Sequence, residues 1–337
     1  MQDYGNGLRE RGINLSSEVD KKIKDGQDYI LDSLKNPCEI DFFRKKYPFD
    51  FVLVGIFANS DIRWNRIYRR NKNAYGSRDI FDAEDKRDHG DGEPPHGQKI
   101  SDCFFESDLI ISNEEKLSIK TRKYNDKKRS ISDSLNAFKE PIESFPKINE
   151  RLMADAYTTG RSSTCSKRRV GAVITDKNKR IISSGYNHVP TGSKDCIDIC
   201  EELNCYRDEK KREVSNVIYN DLSQHKLDMP IEDFENIISK NFKMLDYCRA
   251  LHAEENAIVS LVGNGVNMDD SWIFVTTHPC NLCANKIVQC GIKHVVYFEP
   301  YPVKEAQQIL KDANVELIPF EGVTFRAFFR AYNYRSS

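Results

Sequence analysis

In the stretch DYCRALHAEENAIVS an imidazole and a carboxylate stand two positions apart, His252 and Glu254, at the head of an apolar run. Further on, THPCNLCANKIVQCG places Pro279 directly before Cys280, with Cys283 three residues later. Proline suits the first turn of a helix, because its missing N–H would have no partner there. Two cysteines at that spacing share a helix face, and thiolates near the helix start sit at the positive end of its dipole, which favours the metal-ligating form. One imidazole and two thiolates leave a zinc ion one ligand short of its tetrahedron, the arrangement that keeps a position for water. Two steps along a helix turn through roughly 200°, so His252 and Glu254 do not share a lateral face. At the first turn both can still reach a pocket off the helix end, where the carboxylate is placed to move a proton between water and a substrate nitrogen.

The elements that must position these groups follow from periodicity. INERLMADAYTTGR predicts a helix. RVGAVITD and KRIISSGYN, separated by DKNK, predict a hairpin. A long polar insert runs from about Ser193 to Asp246 and holds Cys196, Cys200 and Cys205. After it come the helix at His252, the strand SWIFVTTH, a helix opening at Cys280, the strand HVVYFEP, the helix VKEAQQILKDAN and the strand VELIPF. Such an alternation predicts an α/β domain over residues 148–337, three-layered α-β-α, with a mixed sheet covered on both faces. Upstream, DFVLVGIF and DLIISN predict buried strands, with an arginine-rich helix DIRWNRIYRRNK and a second helix GQKISDCFFES between them, an α/β domain over residues 1–113. The stretch from residue 114 to 147 is rich in charge, weakly periodic and closed by two prolines, and reads as a charged linker.

A chain of 337 residues suits two such domains. With 51 Lys and Arg against 52 Asp and Glu, the formal charge of −1 gives no argument for a stable nucleic-acid or membrane partner. There is no run of roughly 18 apolar residues and no apolar leader, so a cytoplasmic setting is expected. Eight of the ten cysteines lie from Cys165 onward, and in a chain without an export signal that clustering suggests metal binding or catalysis before disulfides.

H-x-E followed by P-C-x-x-C is the signature of zinc-dependent nucleobase deaminases. Together with RSSTCSKRRVGAVITDKNKRIISSGYNHVPTG, HAEENAIVSL, PCNLCANKIVQCGIKHVVYFEPYP and EGVTFRAF, it makes roughly the last 190 residues resemble the deoxycytidylate deaminases of the cytidine deaminase superfamily. The resemblance implies a catalytic Zn2+ on His252, Cys280 and Cys283, Glu254 as proton shuttle, Asn187 on the sugar, and the Ala253 carbonyl near the exocyclic amine. It implies hydrolysis at cytosine C4 of a free deoxycytidine nucleotide by zinc-activated hydroxide, dCMP to dUMP and ammonia, with dCTP to dUTP as an extension. Homo-oligomers, commonly hexamers, and dCTP and dTTP effectors belong to the same expectation. Arg161, Lys167, Arg168 and Arg169 suit a phosphate or a solvated turn equally. Tyr301 either lines the pocket or ends a strand. Cys196, Cys200 and Cys205, with Cys165 or Cys248, are candidates for a second, structural Zn2+, as in some members of the family.

The N-terminal part resembles the latter half of a P-loop deoxynucleoside monophosphate kinase, with RWNRIYRR like a lid. Such a domain precedes the deaminase in some fungal enzymes and in bacterial anti-phage deoxycytidine nucleotide deaminases. The chain has no G-x-x-x-x-G-K-[ST], so a non-catalytic module is expected. Two other functions compete: a deaminase of single-stranded DNA or RNA, which a basic, aromatic surface would favour, and a nucleotide sensor that has lost turnover, against which the intact Glu254 argues. An RNA or protein regulator stays open.

Overall fold

A computed structural model of the chain describes residues 7–8, 10–11, 15–71, 76–88, 97–115, 121–141, 143–201, 205–224, 229–242, 244–262, 265–299 and 304–332. They fall into two compact units, one of Met1–Arg151 with Phe320–Ser337, the other of Leu152–Pro319. In chain order the strands are β1 (Val54–Phe57), β2 (Leu109–Ser112), β3 (Gly171–Thr175), β4 (Ile181–Tyr186), β5 (Trp272–Val275), β6 (His294–Tyr297), β7 (Glu316–Pro319) and β8 (Gly322–Val323).

The first unit is built on β2, with β1 parallel on one side and β8 antiparallel on the other. The helices Ser60–Arg70, Arg78–Asp88 and Ile100–Phe105 occupy the crossover from β1 to β2, in keeping with an α/β reading. Two expectations about this region are corrected. The supposed linker contains an 18-residue helix, Arg122–Lys139, whose start is capped by the Thr121 hydroxyl accepting from the Tyr124 N–H. Only a narrow stripe of that helix is apolar, which is why its periodicity is faint: Ala137 packs with Leu109, Val323, Ala327 and Ala331, and most of the rest faces water. Second, the chain from Phe320 onward belongs to the first unit and not to the second. Glu150, 1% exposed, fixes that return by accepting hydrogen bonds from the Val323 N–H at 2.8 Å, the Tyr332 hydroxyl at 2.7 Å and the Lys147 N–H at 2.7 Å.

The second unit is a five-stranded mixed sheet in the order β4-β3-β5-β6-β7. Strand β3 runs antiparallel to β4 and β5, while β5, β6 and β7 are parallel. All five residues of β3 are buried, the pattern of a strand covered on both faces. On one face Ala172, Ile174, Ile273, Val275 and Val295 meet Ala257, Leu261, Ile287 and Leu310 of the helices Ala253–Val262, Asn281–Gln289 and Lys304–Asp312. Alternation sends the buried Val173, Phe274 and Val296 to the opposite face. The expected hairpin, the three layers and the mixed sheet are all present. The polar insert holds two substantial helices, Tyr206–Gln224 and Ile231–Asn241, joined through a Tyr219–Phe234 ring contact at 5.7 Å.

Candidate active site

Two helix starts meet at the site. The helix Ala253–Val262 takes its first hydrogen bond from the Asn256 N–H to the His252 carbonyl at 2.8 Å, so His252 stands at its very beginning. Cys280 caps the helix Asn281–Gln289 in the same way, with the Ala284 N–H on its carbonyl at 2.8 Å. What brings the first helix close is Gly185 on β4: an added Cβ there would lie 2.4 Å from the Ala257 nitrogen and 2.5 Å from the Ala253 oxygen. Asn256 donates from its side chain to the Tyr186 carbonyl at 2.9 Å, and the Ser183 hydroxyl donates to the Ala257 carbonyl at 2.7 Å, locking helix to strand.

The result is one imidazole facing two sulfurs. His252 Nδ1 lies 3.4 Å from the Sγ of Cys280 and 3.4 Å from the Sγ of Cys283, and the three ligand atoms are all within 4.8 Å of one another. Zinc bound at about 2.05 Å to nitrogen and 2.3 Å to sulfur with tetrahedral angles separates N from S by about 3.6 Å, so the donors present fit the ion. The electrostatics agree. A hydrogen bond from Cys283, then the His252 imidazole, draws the Cys280 thiol down to about 3 against the effect of burial. The Cys283 thiol is pushed up, first by that same hydrogen bond and then by burial, while the hydrogen bond to Cys280 raises His252. The pair therefore shares a proton that a divalent cation would displace, as metal binding to thiols requires.

Glu254 is 3% exposed, and burial raises its carboxyl above the usual range. Its neighbours are His252, Cys280 and Cys283. Ala253 is fully buried with its carbonyl against Gly185. Asn187 is buried beside the same strand end, and its amide braces the preceding loop: Oδ1 accepts from the Val170 N–H at 2.8 Å and Nδ2 donates to the Arg168 carbonyl at 2.8 Å. Arg168 itself is ion-paired with Glu299, and Lys167 with Asp208, two acids the sequence reading did not weigh. Tyr301 lies outside the described residues.

Among the described residues, Cys165, Cys196, Cys200 and Cys205 do not bring three ligand atoms within 4.8 Å of one another. Cys200 instead sits near Glu209, Cys196 and Cys205, and burial with the Glu209 charge pushes its thiol up to about 11. Residues the sequence reading passed over also stand near the site. His278 is buried against the Tyr297 ring at 4.9 Å, with Nδ1 donating to the Pro279 carbonyl at 2.8 Å.

Comparison with known proteins bears on this geometry. The family model for the cytidine and deoxycytidylate deaminase zinc-binding region matches residues 146–299. The deoxycytidylate deaminase of Enterobacteria phage T4 is 32% identical over 170 residues, 48% of this chain and 84% of the phage enzyme. That of Schizosaccharomyces pombe is 30% identical over 223 residues, 65% of this chain and 56% of the yeast protein. Among solved structures, the dCMP deaminase of cyanophage S-TIM5 in complex with dCMP and dUMP aligns with 53% of this chain and 100% of its own, at 24% identity and a TM-score of 0.35. No helix among the described residues is long and apolar enough to cross a membrane.

Proposed function

Because the chain belongs to the cytidine and deoxycytidylate deaminases, we propose that it is a zinc-dependent hydrolase that converts dCMP and water to dUMP and ammonia. The observation that carries this reading is the convergence of His252 Nδ1 and the Cys280 and Cys283 sulfurs beside the buried carboxyl of Glu254.

His252, Cys280 and Cys283 hold the metal. What zinc contributes when bound is a lowered water pKa, about 7 instead of 15.7, and so a nucleophile at neutral pH. Glu254 handles the protons. Its buried carboxylate accepts one from the attacking water and delivers it to N3 of the cytosine ring, after which the amine at C4 is protonated and leaves as ammonia. The C4–N bond breaks as the C4–O bond becomes the carbonyl of uracil. Burial serves this role, because a carboxyl raised above its ordinary range holds a proton more readily than an exposed one and can hand it on to the substrate. Asn187, already held by the Arg168–Val170 loop, is placed to present its remaining N–H to the sugar.

Replacing Glu254 with Gln tests the assignment. Ammonia release from dCMP is expected to fall by about 10⁴-fold while zinc per chain, read by elemental analysis, stays at the wild-type value. A wild-type protein that deaminates no deoxycytidine nucleotide would overturn it. The same reading extends to dCTP as a second substrate, to dCTP and dTTP as effectors, to a homo-oligomeric assembly and to cytoplasmic pyrimidine supply or anti-phage defence. Ammonia release compared across dCMP, dCTP, CMP, deoxycytidine and a cytosine-containing single strand, with and without added dCTP and dTTP, separates these.

A further inference from the structure

The helices Ala253–Val262 and Asn281–Gln289 are joined by an ion pair that involves none of the three metal ligands: Lys286 Nζ lies 3.3 Å from Glu255 Oε1. Glu255 stands in the first turn of one helix, three residues after His252. Lys286 stands on the other helix, three residues after Cys283, and so shares a face with it. The two side chains are 38% and 23% exposed, so water screens the pair less than it would on an open surface.

Each helix is fixed to the body of its unit by other means. Ala253–Val262 lies close on β4 at Gly185 and is bonded there through Asn256 and Ser183. Asn281–Gln289 buries Ala284 and Ile287 in the same apolar cluster as Ala253 and Ala257. Apolar burial is non-directional. It resists separation of the helices but does little to set one helix start against the other. The site needs that register, because its ligand atoms come from both starts and zinc–ligand distances tolerate only about 0.2 Å. A pair of opposite charges supplies direction. The two charges also reach the ligands themselves. The Cys283 thiol is pushed up first by the Cys280 hydrogen bond and then by burial, and the Lys286 charge opposes both. His252 is raised first by its hydrogen bond to Cys280, and the Glu255 charge adds to that. With Lys286 removed, Glu255 would leave an uncompensated negative charge close to the two sulfurs and the Glu254 carboxyl.

We propose that Glu255 and Lys286 form a positioning clamp, which holds the two helix starts in register, keeps His252 Nδ1 at the distance from the Cys280 and Cys283 sulfurs that the metal requires, and so slows the loss of zinc. Both residues act through the ligands. The proposal rests on the deaminase reading only for the use made of the metal, since retention of zinc is measured without substrate.

The test is zinc transfer from the full-length, zinc-loaded protein to a chromogenic chelator, with denaturation of the zinc-stripped protein followed alongside. Lys286→Met and Glu255→Gln are each expected to speed transfer about two- to fivefold at low salt. The double variant is expected to lose zinc no faster than either single one, as two halves of one interaction do. Lys286→Arg keeps the charge and is expected to stay within about twofold of wild type. Salt at about 1 M, where the Debye length is about 3 Å, narrows the gap between wild type and the single variants. In the enzyme each single change lowers kcat for dCMP by a similar factor and leaves KM within about twofold. Additive losses in the double variant, equal transfer from all variants, or a lower denaturation midpoint of the stripped protein with unchanged transfer from the folded one overturns the clamp. The two readings fail separately. A wild-type protein whose zinc transfer follows this pattern but which releases no ammonia sinks the deaminase reading alone, whereas one that deaminates dCMP while every variant keeps its zinc equally well sinks the clamp alone.

Discussion

Two groups of cysteines in the second unit meet opposite fates. Cys280 and Cys283 stand at a helix start beside an imidazole, and Cys280 is held as a thiolate, its value drawn down to about 3. Cys200 sits beside the carboxylate of Glu209, and its thiol is pushed up to about 11. The residue type is the same in both places. What separates the thiolate of Cys280 from the neutral thiol of Cys200 is the company each keeps: the Cys283 hydrogen bond and then the His252 imidazole hold Cys280 down, whereas burial first and the Glu209 charge second hold Cys200 up.

That contrast can be broken most directly at its strong end. Cys283→Ser is expected to leave less than about a tenth of an equivalent of zinc per chain and no detectable ammonia release, both read on the same preparation. A protein that keeps its zinc would show that the ligand set is drawn wrongly. Next in size is Gly185→Ala. Its Cβ has no room against Ala257 and Ala253, so the helix that carries His252 must shift, at about 1–3 kcal/mol of stability seen as a lower denaturation midpoint, with faster loss of zinc to a chelator.

Thiol chemistry sharpens the comparison. In zinc-stripped protein, alkylation of Cys280 is expected to be flat between about pH 5 and 8, because a group titrating at about 3 is already ionised there. Over the same range Cys200, titrating at about 11, is expected to gain about tenfold in rate per pH unit. Peptide mapping by mass spectrometry reads both, and parallel slopes would erase the distinction. The smallest effect belongs to Cys200→Ser, which is expected to leave zinc content and dCMP turnover within about twofold of wild type. A drop from two zinc ions per chain to one would reinstate a metal in the insert.

The cluster of His252, Cys280 and Cys283 was legible in sequence because a site of this kind depends on short spacings that survive folding: Pro279 marks the helix start, and Cys280 and Cys283 stand in its first turn. Strands β3 to β7 were legible for a similar reason, each being a short run of β-branched or aromatic residues bounded by turns. The helix Arg122–Lys139 was hidden, since its buried stripe is narrow and its Lys and Arg residues swamp the period. Strand β8 was hidden too, as Gly322 and Val323 alone carry no pattern and pair with β2 across more than two hundred positions. Ion pairs such as Arg168–Glu299 and the cation–ring contact of Arg249 with Tyr206 join residues far apart in the chain, so no local window contains them.

Glu150 and its three donors bear on how this protein can be dissected. A fragment begun at Ile148 and continued to the last residue looks reasonable on paper, yet it would strip β2 from β8 and bring Val323, Ala327 and Ala331, at most 1% exposed in the intact chain, into contact with water. An unpaired strand edge beside a bared apolar patch invites precipitation. The compact unit that carries the candidate site is an internal one, Leu152–Pro319, so a truncation that keeps the chain from Phe320 onward without the first unit would report on solubility before it reported on chemistry.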